Sequence, residues 1–143
     1  MARPAFINLW NSYPTEQNPC DGDWANQCAI RMSVALNDEL AITVNRNTYS
    51  EPKCSHGHAR GAESLANWLW RHHLGRPRIF TSGATAKRTL ATLNGIIFFK
   101  DCFSRDGSSV MTGDHIDLWN KGLTKGYNDP ANHAAQVWFW ELA

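Results

Sequence analysis

The pattern of hydrophobic positions predicts helices in the first two thirds of the chain and strands after them. In residues 24–37 the apolar side chains fall at i, i+4, i+7 and i+8, at Cys28, Met32, Ala35 and Leu36. This spacing predicts an amphipathic helix, and Asn26 or Asp23 has the short polar side chain expected of its N-cap. Residues 60–73 and 84–93 predict two further helices by the same kind of repeat.

The period changes near residue 95, where the pattern begins to favour strands. Residues 95–100 form a short apolar run that predicts a buried strand, and residues 135–142 are large and apolar on both faces. Residues 115–120 alternate, so that one face of the strand carries His115, Asp117 and Trp119. Helices followed by an antiparallel set of strands predict an α+β fold, with the N-terminal helices packed on a small sheet.

Length, charge and composition narrow the class of protein. The 143 residues suit a single domain, and a net charge of +1 with scattered basic residues argues against a nucleic-acid partner. The N-terminus has no apolar stretch typical of a secretory signal, and no run approaches the roughly 18 apolar residues of a membrane span. Seven tryptophans indicate either an aromatic core or a groove, whose walls would include Trp10, Trp24 and Trp119.

The cysteines do not predict a metal site. Their positions are Cys20, Cys28, Cys54 and Cys102, a spacing that lacks the paired C-x-x-C pattern of zinc sites. The Cys-x-His-x-His run at residues 54–58 is too compact to supply a tetrahedral set alone. We therefore expect no metal and no cofactor. One disulfide remains possible, although the sequence does not choose its pair and a chain without a signal peptide does not predict one.

Cys28 and His115 have the sequence context of a nucleophile and its base. Cys28 would lie in the first turn of the first helix, where the partial positive charge favours a thiolate. His115 would open a strand of the sheet. A helix that carries the cysteine, packed on a sheet that carries the histidine, is the papain-like arrangement. Taken alone, Cys28 could equally be a buried structural thiol, and His115 could face solvent at a strand end.

Four blocks of sequence resemble a known family when they are taken together and in order. They are NQCAIRMS at 26–33, RGAESLANWL at 60–69, GIIFFK at 95–100 and GDHIDLWN at 113–120. This set resembles the fourth family of type VI secretion amidase effectors, small bacterial toxins with a papain-like fold of the NlpC kind. The resemblance covers about residues 24–142.

The resemblance implies a specific activity. It implies a peptidoglycan amidase that cuts stem peptides between γ-D-glutamate and meso-diaminopimelate in a competitor's periplasm, and a cognate immunity protein that blocks the groove. Cys28 would be the nucleophile and His115 the base. The family pattern continues through a Leu-Thr pair to an Asp, but here Leu-Thr is followed by Lys125. We therefore expect Asp129, from the same loop, as the third catalytic residue.

Other residues and other functions remain as alternatives. Asp117 lies on the His115 face, but roughly 6–7 Å between alternate strand positions is long for a side-chain partner; Asn128 and Asn132 are further candidates. A tryptophan-rich module that binds cell-wall glycan without cutting it would keep its activity after Cys28→Ala. An interaction or inhibitor protein stabilised by two disulfides would contain no free thiol.

Overall fold

The computed structural model describes residues 3–14, 27–103, 113–126 and 134–143. In these ranges the helices are α1 (Phe6–Ser12), α2 (Cys28–Glu39), α3 (Ala62–Leu69) and α4 (Gly83–Thr89), and a π-helical segment (Trp70–Leu74) extends α3. The strands are β1 (Arg78–Phe80), β2 (Asn94–Phe103), β3 (Gly113–Asn120), β4 (Leu123–Thr124) and β5 (Gln136–Glu141). All strand pairs are antiparallel, in the order β1-β5-β2-β3-β4. The α+β prediction is confirmed.

Alternating side chains of the sheet separate into two cores. The first core lies between the sheet and helices α1, α2 and α3, and its strand residues are Ile96, Phe98, Ile116, Leu118, Trp138 and Trp140. The second core lies on the other sheet face with Ala86 and Leu90 of the α4 region, and its strand residues are Ile97, Phe99, Trp119, Val137 and Phe139. The even-numbered strand residues thus lie in the first core and the odd-numbered ones in the second, because successive side chains of a strand point to opposite faces of the sheet.

Three predicted boundaries differ from the structure. The first helix begins at Cys28 with Gln27 as its N-cap, not at residue 24; Asn26 and Asp23 lie outside the described residues. Predicted helix 84–93 ends at Thr89, because the backbone of Leu90 leaves the helical region at ψ 6°. Helix 60–73 is confirmed in outline, and it ends before Gly75, whose φ of 75° is readily adopted by glycine.

Two short segments adopt conformations that their local propensity does not indicate. Residues 41–44 have strand propensity but form no strand, because the Asn37 side chain bonds both backbone groups of Val44: Oδ1 accepts from its N–H at 2.7 Å, and Nδ2 donates to its C=O at 3.0 Å. The edge strand β1 was not predicted. Its three residues gain their strand conformation by pairing with β5, from Arg78 opposite Phe139 to Phe80 opposite Val137.

The sheet leaves one end of β3 available for the functional groups. Strand β4 pairs only with the last two residues of β3, Trp119 with Thr124 and Asn120 with Leu123. The earlier part of β3, which contains His115, pairs with β2. Helix α2 packs against β3. The start of α2 and the start of β3 are thereby brought to one side of the molecule.

Gly95 is required where the backbone of β2 passes close to β5. A Cβ at this position would lie 2.0 Å from the backbone oxygen of Trp140 and 2.8 Å from Cζ of Phe139. We expect Gly95→Ala to lower the free energy of unfolding by about 1–3 kcal/mol or more, because the strands must separate to admit the methyl group. Denaturant unfolding measures this loss. Gly61→Ala is the control, since its nearest neighbour would lie at 3.4 Å; an equal loss in both variants would contradict the explanation.

Candidate active site

Cys28 occupies the first position of α2 and faces the protein interior. Cys28 is 3% exposed and belongs to the first core. The side chain forms a hydrogen bond with His115. The first N–H groups of a helix have no partner within the helix and carry partial positive charge. The sulfur of Cys28 therefore has two neighbours, the start of the helix and the imidazole of His115, that interact favourably with negative charge.

His115 is held in one orientation by contacts on both sides of its ring. It lies on β3 opposite Phe99, and the two rings stack with centroids 6.1 Å apart and planes 14° apart. Its Nε2 lies 2.7 Å from Oδ2 of Asp117. Because Nε2 is engaged by the carboxylate, Nδ1 is the ring nitrogen left for the Cys28 thiol. This is the geometry of a base that is oriented by a third group.

Asp117 is surrounded by donors. Its Oδ1 accepts from the backbone N–H of Leu118 at 2.7 Å, of Lys125 at 3.1 Å and of Gly126 at 3.0 Å, and its Oδ2 accepts from Gly126 at 3.0 Å and contacts His115. The residue is fully buried. An ionised carboxylate only accepts hydrogen bonds, so this set of contacts suits a charged Asp117. The turn after β4 closes over the carboxylate and fixes it against the imidazole.

Asp117 contacts His115, contrary to the expectation from strand spacing. The backbone separation of alternate residues is long, but both side chains project from the same face and the imidazole ring spans the gap, which closes to 2.7 Å. Asp129, the residue expected in this role, lies outside the described residues, as do Asn128 and Asn132. The structure therefore brings together Cys28, His115 and Asp117.

The ionisation of His115 is set by its burial and by its two partners, Asp117 and Cys28. Burial lowers the pKa of the imidazole, and this is the largest single effect. The hydrogen bonds with Asp117 and with Cys28, together with the negative charges of these two groups, oppose burial and raise the pKa from 6.5 to about 9. The imidazolium therefore persists at neutral pH, where it can stabilise a neighbouring thiolate and later donate a proton.

The other two cysteines in the described ranges, Cys54 and Cys102, lack this environment. Cys102 also carries a reduced thiol. Its pKa is raised to about 12, mainly by burial and further by the nearby Asp114 and Cys28. A thiol with so high a pKa stays protonated and is a poor nucleophile at neutral pH. Cys54 is disulfide-bonded, which the sequence left open. Of the two reduced thiols in the described residues, Cys28 is the one with an imidazole partner.

The structure changes one expectation about binding groups and adds a fact about the Cys-x-His-x-His run. Trp119 is not a groove wall: it is 3% exposed, packs in the second core and donates from Nε1 to the Leu90 carbonyl at 2.9 Å. Trp10 is partly buried and lies near the site, while Trp24 lies outside the described residues. The disulfide removes Cys54 from the Cys-x-His-x-His run as a thiolate ligand.

Comparison with known proteins places this geometry in a family. Residues 24–140 match the family described as type VI secretion system (T6SS), amidase effector protein 4, or Tae4. The chain belongs to the Tae4 family. This confirms the resemblance inferred from the four sequence blocks, and the matched range includes Cys28, His115 and Asp117. No curated protein matches the chain in a sequence comparison.

Solved Tae4 structures share the fold. The Tae4–Tai4 effector–immunity complex from Enterobacter cloacae aligns at a TM-score of 0.72 and 21% identity, over 99% of this chain and 100% of that chain. The Salmonella Typhimurium complex aligns at 0.74 and 19%, over 99% and 100%. Tae4 from Enterobacter cloacae aligns at 0.73 and 19%, over 99% and 98%. At these identities the likeness shows the fold, and the papain-like, NlpC-type prediction is confirmed.

One contributor to the site was not found from the sequence. Gly126 donates its N–H to both oxygens of Asp117, and a Cβ at this position would lie 2.6 Å from Oη of Tyr13 and 3.4 Å from Oδ2 of Asp117. Only glycine fits between these groups without displacing one of them. The available signal was its place directly after Lys125, where the Tae4 pattern continues from Leu-Thr to an acidic residue.

Proposed function

We propose that this Tae4 chain is a cysteine amidase that hydrolyses the γ-D-glutamyl–meso-diaminopimelate bond of peptidoglycan stem peptides. The observation that carries the proposal is the buried chain of contacts from Cys28 through His115 to Asp117. The amidase description of the family supports hydrolysis of an amide. The choice of bond rests on the resemblance to the family. We propose further that residues 1–143 form a single catalytic domain.

The groups of the site supply each step of an acyl transfer. The Cys28 thiolate attacks the carbonyl carbon of the γ-amide, and the backbone N–H of Cys28 stabilises the oxyanion. The C–N bond then breaks, and the His115 imidazolium gives its proton to the leaving amine of diaminopimelate. His115 next removes a proton from water, which attacks the thioester and releases the glutamate as a carboxylate. Asp117 holds the imidazole in position throughout.

The same observations weigh against the two other functions. The reduced thiols of Cys28 and Cys102 disagree with an interaction protein that is stabilised by two disulfides. A glycan-binding platform needs exposed aromatic faces. Among the described tryptophans, four are at most 9% exposed, namely Trp68, Trp119, Trp138 and Trp140.

We propose a partner and a place of action from the same family. The solved relatives include Tae4–Tai4 effector–immunity complexes, so we expect a cognate immunity protein that covers the Cys28 site. Action in the periplasm of the target cell follows from the substrate, which is located there. Among the described residues, no helix is both long and apolar enough to cross a membrane.

A defined peptide tests the bond. The wild-type chain is incubated with L-Ala-γ-D-Glu-meso-diaminopimelate, and the products are read by mass spectrometry. The proposal expects L-Ala-D-Glu and free diaminopimelate. The matched control peptide carries an α-linked glutamate and is expected to stay intact. Cleavage of neither peptide by folded protein, or cleavage at the L-Ala bond, would overturn the assignment of the bond.

The rate should depend on pH through the His115 imidazolium. Because the pKa of His115 is raised to about 9, the proton needed by the leaving amine is present below that pH and is lost above it. We expect kcat/KM on the tripeptide to decline as the pH rises through about 9, while circular dichroism shows that the fold is retained. A decline near the ordinary value of 6.5 would contradict the hydrogen bonds assigned to His115.

A further inference from the structure

Two aromatic residues of the N-terminal segment pack on the turn that follows β4. The Trp10 ring centroid lies 4.5 Å from Nζ of Lys125, within the range of a cation–π contact. A Cβ at Gly126 would lie 2.6 Å from Oη and 3.3 Å from Cζ of Tyr13. The end of the Tyr13 ring therefore rests directly on the backbone of Gly126.

This turn is the one that holds Asp117. The N–H groups of Lys125 and Gly126 both donate to its carboxylate. A Cβ at Gly126 would also lie 3.4 Å from Oδ2 of Asp117, so Tyr13 and Asp117 lie on either side of the same residue. Any movement of Tyr13 away from Gly126 would free the turn to move away from Asp117.

The segment that carries Trp10 and Tyr13 is itself fixed. The N–H of Ala5 donates to Oε2 of Glu39 at 2.9 Å, and the N–H of Phe6 donates to the carbonyl of Ala143 at 2.9 Å. Phe6 and Leu9 of α1 are buried in the first core. Helix α1 is therefore a supported platform on which the turn can rest.

The phenol of Tyr13 adds no charge to the site. Burial, and then the negative charges of Asp117 and Cys28, raise its pKa far above the ordinary value, while Arg31 acts in the opposite direction. Tyr13 therefore stays neutral, beside both the nucleophile and the carboxylate. Its contribution is one of position.

We propose that Tyr13, assisted by Trp10, is a positioning residue that holds the Lys125–Gly126 turn over Asp117 and thereby fixes the orientation of His115. The inference rests on the proposed function, in which His115 serves Cys28. It assigns to α1, which carries none of the reacting groups, control over the geometry of the base. Loss of the Tyr13 contact should weaken the bond between Asp117 and His115 without removing any of the three groups.

The reaction of Cys28 with iodoacetate tests this without any peptidoglycan. The anionic reagent reacts fastest while the thiolate and the imidazolium coexist, so the descending limb of the rate–pH profile reports the loss of the His115 proton. Peptide mass spectrometry follows Cys28 separately from Cys102. For Tyr13→Ala we expect this limb to move to lower pH by about half a unit to one unit, a 3- to 10-fold change in the proton equilibrium.

Matched variants decide the outcome. Leu9→Ala removes a buried side chain of α1, the helix that Tyr13 caps, without touching the turn. Trp10→Phe keeps an aromatic ring near Lys125. Both variants should retain the wild-type profile. The proposal is overturned if folded Tyr13→Ala keeps the wild-type profile, or if Leu9→Ala shifts it as far. If Tyr13→Ala does not fold, Trp10→Leu takes its place under the same criteria. Because no peptidoglycan is used, failure of the peptide assay leaves this test intact.

Discussion

Replacement of Cys28 by alanine is expected to abolish hydrolysis of the stem peptide. The variant lacks the sulfur that forms the thioester in the proposed mechanism, while the helix start and His115 remain. Removal of a nucleophile from a catalytic triad lowers kcat by about 10⁴-fold or more. The loss is measured with the tripeptide substrate under single-turnover conditions. Circular dichroism should show an unchanged fold, because alanine fits the space of a buried cysteine and suits a helix.

Cys102→Ala is the matched control for this result. Cys102 is the other reduced thiol of the described residues and is similarly buried, but burial raises its pKa to about 12 and it lacks an imidazole partner in the proposed mechanism. We expect this variant to keep near-wild-type activity. Retained activity in Cys28→Ala, together with a loss in Cys102→Ala, would exchange the roles of the two cysteines and contradict the assignment.

The second large effect is expected for Asp117→Asn. An amide cannot accept through its NH₂ group, so the N–H donors of Lys125 and Gly126 and the imidazole can no longer all be satisfied. The comparable change in a serine triad lowers kcat by about 10⁴-fold, because the histidine adopts the wrong tautomer. We expect a loss of about 10²- to 10⁴-fold here. The pH at which kcat/KM declines should also fall below about 9, because the hydrogen bond that raises the pKa of His115 is weakened.

Two other aspartates make this prediction specific. Asp114 lies on the same strand and is also buried, but its Oδ1 accepts from the N–H of Asp101 at 2.9 Å. Asp114→Asn should therefore leave the pH profile of His115 close to that of the wild type. Asp129→Asn tests the residue that the sequence favoured. A large loss in Asp129→Asn beside a small one in Asp117→Asn would make Asp129 the third residue and refute the role given to Asp117.

The nucleophile and the base were accessible to sequence reasoning because local patterns place them. The i, i+4, i+7 repeat identified the helix of Cys28, and the alternation at residues 115–120 identified the strand of His115. Both elements are confirmed, although α2 begins four residues later than predicted. The pairing of the two side chains required the family resemblance, since no local pattern brings residues so distant in the chain together.

The third residue could not be chosen for a different physical reason. Alternation correctly placed Asp117 on the face of His115, but strand geometry gives only the backbone separation. Whether the two side chains meet depends on their rotamers and on the turn at Lys125 and Gly126, whose N–H groups hold the carboxylate. The backbone of Gly126 in that turn packs against Tyr13, more than a hundred residues earlier in the sequence. No local pattern contains this contact.

The central claim is that Cys28 cuts the stem peptide at one bond, and muropeptide analysis tests it most directly. Purified diaminopimelate-type peptidoglycan is digested with the wild-type chain and with Cys28→Ala in parallel, and the released muropeptides are identified by mass spectrometry. The account predicts new stems that end at D-glutamate with the wild type and none with the variant. Intact stems in both digests, with wild-type protein shown to be folded, would contradict it.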